Sequence, residues 1–439
     1  MQGLLQRLQD IRYSLWLIPT AMVAAGIALA LLAIDADTRI GEDTLSRWPL
    51  LFGASADGAR ALLQMVSGAM ITVAGLTFSI TVLVLSLGAS QYTPRVIRTF
   101  MGNRATQSVL GVFVGIFAYC LVVLRATRGS GETFVPSVAI ALAVVLALLG
   151  VAVLVYFIHH VATSIQASSI VASVTADAIR VIDSMYLECG PGPDRNPTGG
   201  EDRRHSWYAV VSLCTGYLRS IDIDGLGAYA LAHGIVVRME RKIGEFVIER
   251  GLLLSVSSRP DEAMARALSG YFAIGHYRTV EQDVSVGIQQ LIDIALHALS
   301  PGINDTTTGL LCIDYLSAIL MRLAPLQVAP QDCSRDGRVL VIRRGPDFSQ
   351  LLDAACEPLR HNARENLAVY RHLLRALETV GCAVRQPGRL DAVCEQLKLT
   401  AEYARRNIQA PDQRAQLERL SGDILKRLQL MHRGATGGA

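Results

Sequence analysis

The sequence predicts a membrane protein: four transmembrane helices with both ends in the cytoplasm, then a cytoplasmic α+β domain with a small β-unit and long amphipathic helices. Three observations predict it. Of 439 residues, 51% are hydrophobic and only 18% charged, too apolar for an ordinary soluble chain of this length. The longest uncharged runs all precede residue 177. After residue 205 the pattern changes to short alternating segments and then to a helical period.

A bilayer core of about 30 Å takes roughly 20 apolar residues in a helix. The first span is 14–34, SLWLIPTAMVAAGIALALLAI. It follows Arg7 and Arg12 as a signal peptide would, but it outruns a usual signal core, so an uncleaved anchor is expected. The second span, 66–91, lies in the charge-free run 61–94, which would reach roughly 50 Å as a helix and project past the membrane. The third is 106–124, TQSVLGVFVGIFAYCLVVL. The fourth is 134–160, and its uncharged continuation HHVATSIQASSIVASV reads as a helical stalk closing a first domain at residue 188. The loop YTPRVIRTFMGNRA carries Arg95, Arg98 and Arg104 and no acid, which places it in the cytoplasm. The first loop carries Asp35, Asp37, Glu42, Asp43 and Asp57 against three arginines and suits the outside. A bacterial inner membrane is the expected location.

Residues 189–205, CGPGPDRNPTGGEDRRH, read as a linker. SWYAVVSLCTGYLRSID reads as a strand entering a turn, and a short helix follows near 225–233. IVVRMERKIGEFVIERGLLLSV alternates around Gly244 and Gly251 as two or three strands, so 206–258 is a small β-rich unit. Residues 259–433 read as mainly helical. Ile288, Leu291, Ile292, Ala295 and Leu299 share one face, and Leu310, Ile313, Leu316, Leu320 and Leu323 repeat the pattern. RVLVIRR at 338–344 is one more strand, 349–384 and 389–431 are two long amphipathic helices, and 434–439 is a disordered tail.

Composition excludes several classes. A net charge of +3 without a basic run gives no nucleic-acid surface. The eight cysteines form no CxxC pair and have no His at zinc spacing, so they read as reduced cytoplasmic thiols, and no metal or other cofactor is expected. GxxxxGK[ST], GxSxG and HExxH are absent, which leaves an ATP-driven pump or a standard hydrolase unsupported.

The run GLTFSITVLVLSLGASQYTPRVIRTFMGNRATQSVLGVFVGIFAYCLVVLR resembles the transmembrane signature of a bacterial membrane-protein family, domain of unknown function 2254. FIHHVATSIQ, GYLRSID, GEFVIERG, RTVEQD and LIDIALHALSPGINDTTTG resemble its later motifs, in order, up to about residue 325. This chain has Thr306-Thr307-Thr308-Gly309 where the family has Pro-x-Thr-Ala, and Val286 where it often has an aromatic. The resemblance implies a four-span membrane domain with a cytoplasmic domain and brings no catalytic residue set.

Two functions are expected from the residues. The first is a homo-oligomeric cation channel for Na⁺ or K⁺. Gly68, Thr72, Gly75, Ser79 and Ser86 form a small, hydroxyl-bearing stripe at seven-residue repeats, which suits either tight helix packing or a pore lining. Four helices cannot enclose a pore, so it would lie on the axis of an oligomer such as a pentamer. Asp35, Asp37, Glu42 and Asp43 would line an outer mouth, and His159 and His160 are candidate gating residues. The second reading is a membrane-anchored ligand sensor or enzyme, with Arg278, Asp283, Asn304 and Asp305 as ligand candidates beside Glu281, Gln282 and His297. The structural alternative makes SPGINDTTTG, 300–309, a corner between two helices: Pro301 breaks the first, Gly302 turns, and Asn304 or Asp305 caps the second.

Overall fold

Inside hydrocarbon every backbone N–H and C=O must be satisfied within its own segment, so charge-free runs of this length fold as helices. The computed structural model describes residues 16–39, 56–91, 104–127, 136–164, 166–186, 206–276, 283–326, 328, 333–335, 338–343 and 345–436. The chain divides into two compact units, Met1–Gln166 and Ala167–Ala439.

The first unit holds α1 (Leu17–Arg39), α2 (Ala56–Gln91), α3 (Arg104–Ala126) and α4 (Ser137–Ser164). All four are long and apolar enough to cross a membrane. The second begins ten residues before its expected start, because Ala56–Met65 continues the same helix. α3 is the central element, with Phe113, Ile116, Tyr119 and Cys120 in the core. In its Gly111-xxx-Gly115, Gly115 meets α1 at backbone distance and Gly111 abuts the Met22 side chain. A Cβ on Gly26 would lie 2.4 Å from the Gly115 carbonyl oxygen, and one on Gly115 would lie 2.9 Å from that of Met22. Small residues let two helices in lipid approach this closely, where hydrophobic exclusion from water gives no help.

α4 stops at Ser164, and the expected stalk is a separate helix, α5 (Ala167–Tyr186), which belongs to the second unit. Its Ile170, Val171, Val174, Ala178, Val181 and Ile182 are buried, three and four residues apart, as one helical face. They pack on α8 (Val284–Ala298) and α9 (Thr306–Leu323).

Between these lie β1 (Tyr208–Val211), β2 (Gly216–Ile221), α6 (Ile223–His233), β3 (Val237–Met239), β4 (Phe246–Val247), β5 (Leu252–Val256), α7 (Glu262–Ser269) and β6 (Phe272–Gly275). Asp222 caps the start of α6, and Gly234, at φ 61°, ends it in the left-handed region. A three-stranded sheet runs β4-β2-β6. A five-stranded sheet runs β1-β5-β3-β8-β7, recruiting β7 (Cys333–Arg335) and β8 (Arg338–Ile342) from beyond α9. β8 pairs parallel to β3, Val341 opposite Val237. The β-unit is therefore completed by strands from the stretch read as mainly helical.

The two long helices expected over 349–384 and 389–431 are four: α10 (Phe348–Asn362), α11 (Leu367–Ala383), α12 (Pro387–Asn407) and α13 (Pro411–Thr436). Arg364, at φ 49°, and the cap Asn366 break the first pair. Pro411, which fits a first helical turn but not a helix interior, starts α13. Part of the expected disordered tail is helical to Thr436, and 437–439 lie outside the described residues. α9 is packed by α5, α8 and α11, and its Asp314 and Arg322 pair with His372 and Asp183. The buried Arg389 of α12 donates to the carbonyls of Leu323, Ala324 and Leu326, ending α9 with a positive charge at the negative pole of its dipole.

Candidate functional site

The candidate site is the outward face of α2. Ala59, Leu63, Ser67, Met70, Ala74 and Thr77 are buried, three or four residues apart, against the rest of the first unit. At 100° per residue the positions two further on point the opposite way. Those positions include Ala61, Met65, Thr72 and Ser79, and all are exposed, as are Gly68, Gly75 and Ser86. A Cβ added at Gly68 or Gly75 would meet nothing within 4 Å. Among the described residues the five stripe residues thus share the exposed side of α2, opposite the side buried against the rest of its unit.

Their chemistry is narrow. Thr72 Oγ1 donates to the Gly68 carbonyl at 2.8 Å, and Ser79 Oγ donates to the Gly75 carbonyl at 2.9 Å. With the proton committed to the backbone, each hydroxyl oxygen turns only lone pairs outward. The face is a row of acceptors and bare backbone, set between Leu76, Phe78, Val82 and Leu83. α1 and α4 instead turn Leu31, Leu32, Val145, Leu148 and Val155 outward, bulky aliphatic surface suited to lipid chains.

The expected outer mouth has other duties. Asp37 is buried and accepts from the backbone N–H of Val138 at 2.8 Å and of Ala139 at 3.0 Å. It caps the start of α4, where free N–H groups and the dipole favour an anion. Tyr119 donates to the Ala139 carbonyl at 2.8 Å beside it, and Arg60 donates to the Thr127 carbonyl at 3.0 Å. Asp35 pairs with Arg39 at 2.8 Å on the surface. Glu42 and Asp43 lie outside the described residues. His159 is exposed, and His160 stacks on Tyr156 with centroids 5.7 Å apart in the last turns of α4.

In the second unit, Arg278, Glu281 and Gln282 lie outside the described residues. Asp283 is buried and caps α8, its carboxylate accepting from Ser285 N. His297 sits in the last turn of α8, its carbonyl accepting from Ser300. At the corner the left-handed residue is Asn304, at φ 51°, rather than Gly302. Asp305 caps α9, accepting from Thr308 N at 3.1 Å and from Thr308 Oγ1 at 2.5 Å. The Thr308 hydroxyl, then the backbone N–H, holds the Asp305 carboxyl below its ordinary range. Thr306 Oγ1 accepts from Asn366 Nδ2 at 2.8 Å and ties the corner to α11. Burial pushes the Cys356 thiol up to about 12, which makes it an unreactive core residue. Among the described residues no group of three or more His, Cys, Asp or Glu has the arrangement of a metal site. Sequence reasoning missed Arg389 and the Gly111–Gly115 contact; the glycine spacing was legible, and the arginine carried no local signal.

A family described as predicted membrane protein (DUF2254) matches residues 12–379. Uncharacterized protein MT1328 of Mycobacterium tuberculosis is 30% identical over 416 residues, covering 92% of this chain and 78% of its own length. Uncharacterized protein Mb1321c of Mycobacterium bovis shows the same identity and coverage. No solved structure matches the chain.

Proposed function

Since the chain belongs to the DUF2254 family of predicted membrane proteins, we propose that it works as a homo-oligomeric channel for monovalent cations, with copies meeting so that the outward row of α2 faces the shared axis. The observation that carries the reading is the contrast between faces. α1 and α4 present large aliphatic side chains, whereas α2 sets a row of glycine backbone and hydroxyl oxygens, lone pairs outward, between its exposed Leu76, Phe78, Val82 and Leu83. An acceptor-only surface suits a partly dehydrated cation and offers an anion nothing.

In this reading α1–α4 cross the membrane. α9, the fifth helix with the length and apolarity to do so, is apolar because it is wrapped on several sides by α5, α8 and α11. Four crossings place both ends on one side. The loop with Arg95, Arg98 and Arg104 and no acid assigns that side to the cytoplasm of a bacterial inner membrane. The C-terminal unit is then a cytoplasmic gating or assembly domain. The alternative, a ligand sensor or enzyme around Arg278, Asp283 and Asp305, is less favoured because both aspartates are engaged at helix starts.

Purified protein in liposomes is expected to pass Na⁺ or K⁺ down a gradient, and Ser79→Trp is expected to block that flux. Folded, oligomeric protein with no flux above empty liposomes would sink the channel reading. Normal flux through Ser79→Trp would move the pore away from α2.

A further inference from the structure

One end of the β-unit carries an apolar ridge. Val211, Leu213, Phe246, Ile248 and Leu252 are 43%, 60%, 50%, 64% and 38% exposed. Val211 stands opposite Leu252 across β1 and β5, while Phe246 on β4 and Ile248 just after it are exposed on either side of the buried Val247. The ridge is rigid. Ser212 N donates to the Gly251 carbonyl, and Arg250 N to that of Ser212, both at 2.8 Å, while Glu249 N reaches Thr215 Oγ1 at 2.9 Å. Arg250 holds a left-handed backbone at φ 63° within the turn. A rigid exposed apolar surface of this kind marks an interaction site.

We propose that the ridge is where the β-units of two copies of this chain meet around a two-fold axis. The charges at its edge select that occupant. Glu249 and Arg250 are adjacent, exposed and opposite in sign. In a two-fold contact the Glu249 of each copy faces the Arg250 of the other, so one pair of residues supplies both halves of the match. The linker preceding the strand, CGPGPDRNPTGGEDRRH, contains no Val, Leu, Ile, Met, Phe, Tyr or Trp with which to cover the ridge. The inference rests on the homo-oligomer of the proposed function and sharpens it. Two-fold pairing of the β-units makes the assembly even-numbered, a dimer or a dimer of dimers about the pore axis, rather than a pentamer.

The test uses the full chain in nanodiscs, with Cys189, Cys214, Cys333 and Cys382 changed to serine. A bifunctional maleimide should cross-link Ile248→Cys into a dimer band and leave Arg371→Cys on α11 monomeric. Native mass spectrometry should give an even number of copies. Ile248→Glu, with its melting curve unchanged, should halve the mass. Glu249→Lys should weaken cross-linking through Ile248→Cys several-fold, and adding Arg250→Glu should restore it. An odd-numbered assembly, or one whose mass and cross-linking ignore these changes, overturns the ridge contact and leaves the channel reading standing. A monomer overturns both. Quenching of a label at Ile248→Cys by spin-labelled lipid, without cross-linking, overturns the contact in favour of a membrane-binding ridge.

Discussion

Gly26→Ala and Gly68→Ala add the same methyl group to two helices of the membrane unit, and they should have opposite consequences. At Gly26 the new Cβ would stand 2.4 Å from the Gly115 carbonyl oxygen, 3.1 Å from its carbon and 3.3 Å from its Cα. All three are backbone atoms, so no side chain can rotate away. Ordinary contact begins near 3.4 Å, so α1 and α3 must separate by 3.4 − 2.4 = 1.0 Å at their closest point. Overpacking of this kind costs about 1–3 kcal/mol. At Gly68 the new Cβ meets nothing within 4 Å, and alanine in a helix interior is favoured over glycine by about 0.5–1 kcal/mol. The assay is far-UV circular dichroism during SDS titration of each variant from mild detergent. Gly26→Ala should unfold at a clearly lower SDS fraction than the parent. Gly68→Ala should unfold at the parent's midpoint or above it, while in the proposed channel its cation flux falls because the methyl group narrows the row that faces the shared axis. Equal losses of fold stability at the two sites, or none at Gly26, would refute the assignment of α1–α3 as the closed interface and α2 as the open one.

Three further predictions follow from single side chains. Asp37→Ala should lower the SDS midpoint by the equivalent of about 1 kcal/mol through loss of the α4 cap, with Asp37→Asn milder because it keeps an acceptor oxygen. Arg389→Met removes a charged donor from three carbonyls at the end of α9 and should destabilise the second unit by about 1.5–3 kcal/mol, read by guanidinium denaturation followed through Trp207 fluorescence. Asp305 has a folded-state carboxyl held below its ordinary value, so its contribution is present above about pH 4 and fades as pH falls through the depressed value. Melting of Asp305→Ala and the parent should therefore differ at pH 7 and converge at the acid end; a gap that persists there would show that the charge is not what the cap uses.

The sequence by itself determined the apolar helices α1–α4 and their order, while it ran α10 into α11 and α12 into α13. Apolar runs of bilayer length, Gly-Pro breaks and alternating segments are local signals, because span length, helix termination and strand pleat are set within a few residues. The corner at 300–309 was legible in this way, since capping is also local, although the sequence left Asn304 and Asp305 open and the structure assigned the cap to Asp305. Only the tertiary structure decided which partners those elements take. β8 completes a sheet with β3 from a hundred residues away, a pairing that no local pattern encodes. Asp37 looks like any acidic loop residue until α4 is seen to begin above it, and Arg389 looks solvated until the end of α9 is placed against it. The α2 stripe was written in the sequence as small residues at seven-residue spacing, but a helix has two sides and composition does not say which is covered. Packing settled that within the unit: Met70, Ala74 and Thr77 turn inward, so Gly68, Thr72, Gly75 and Ser79 must turn out.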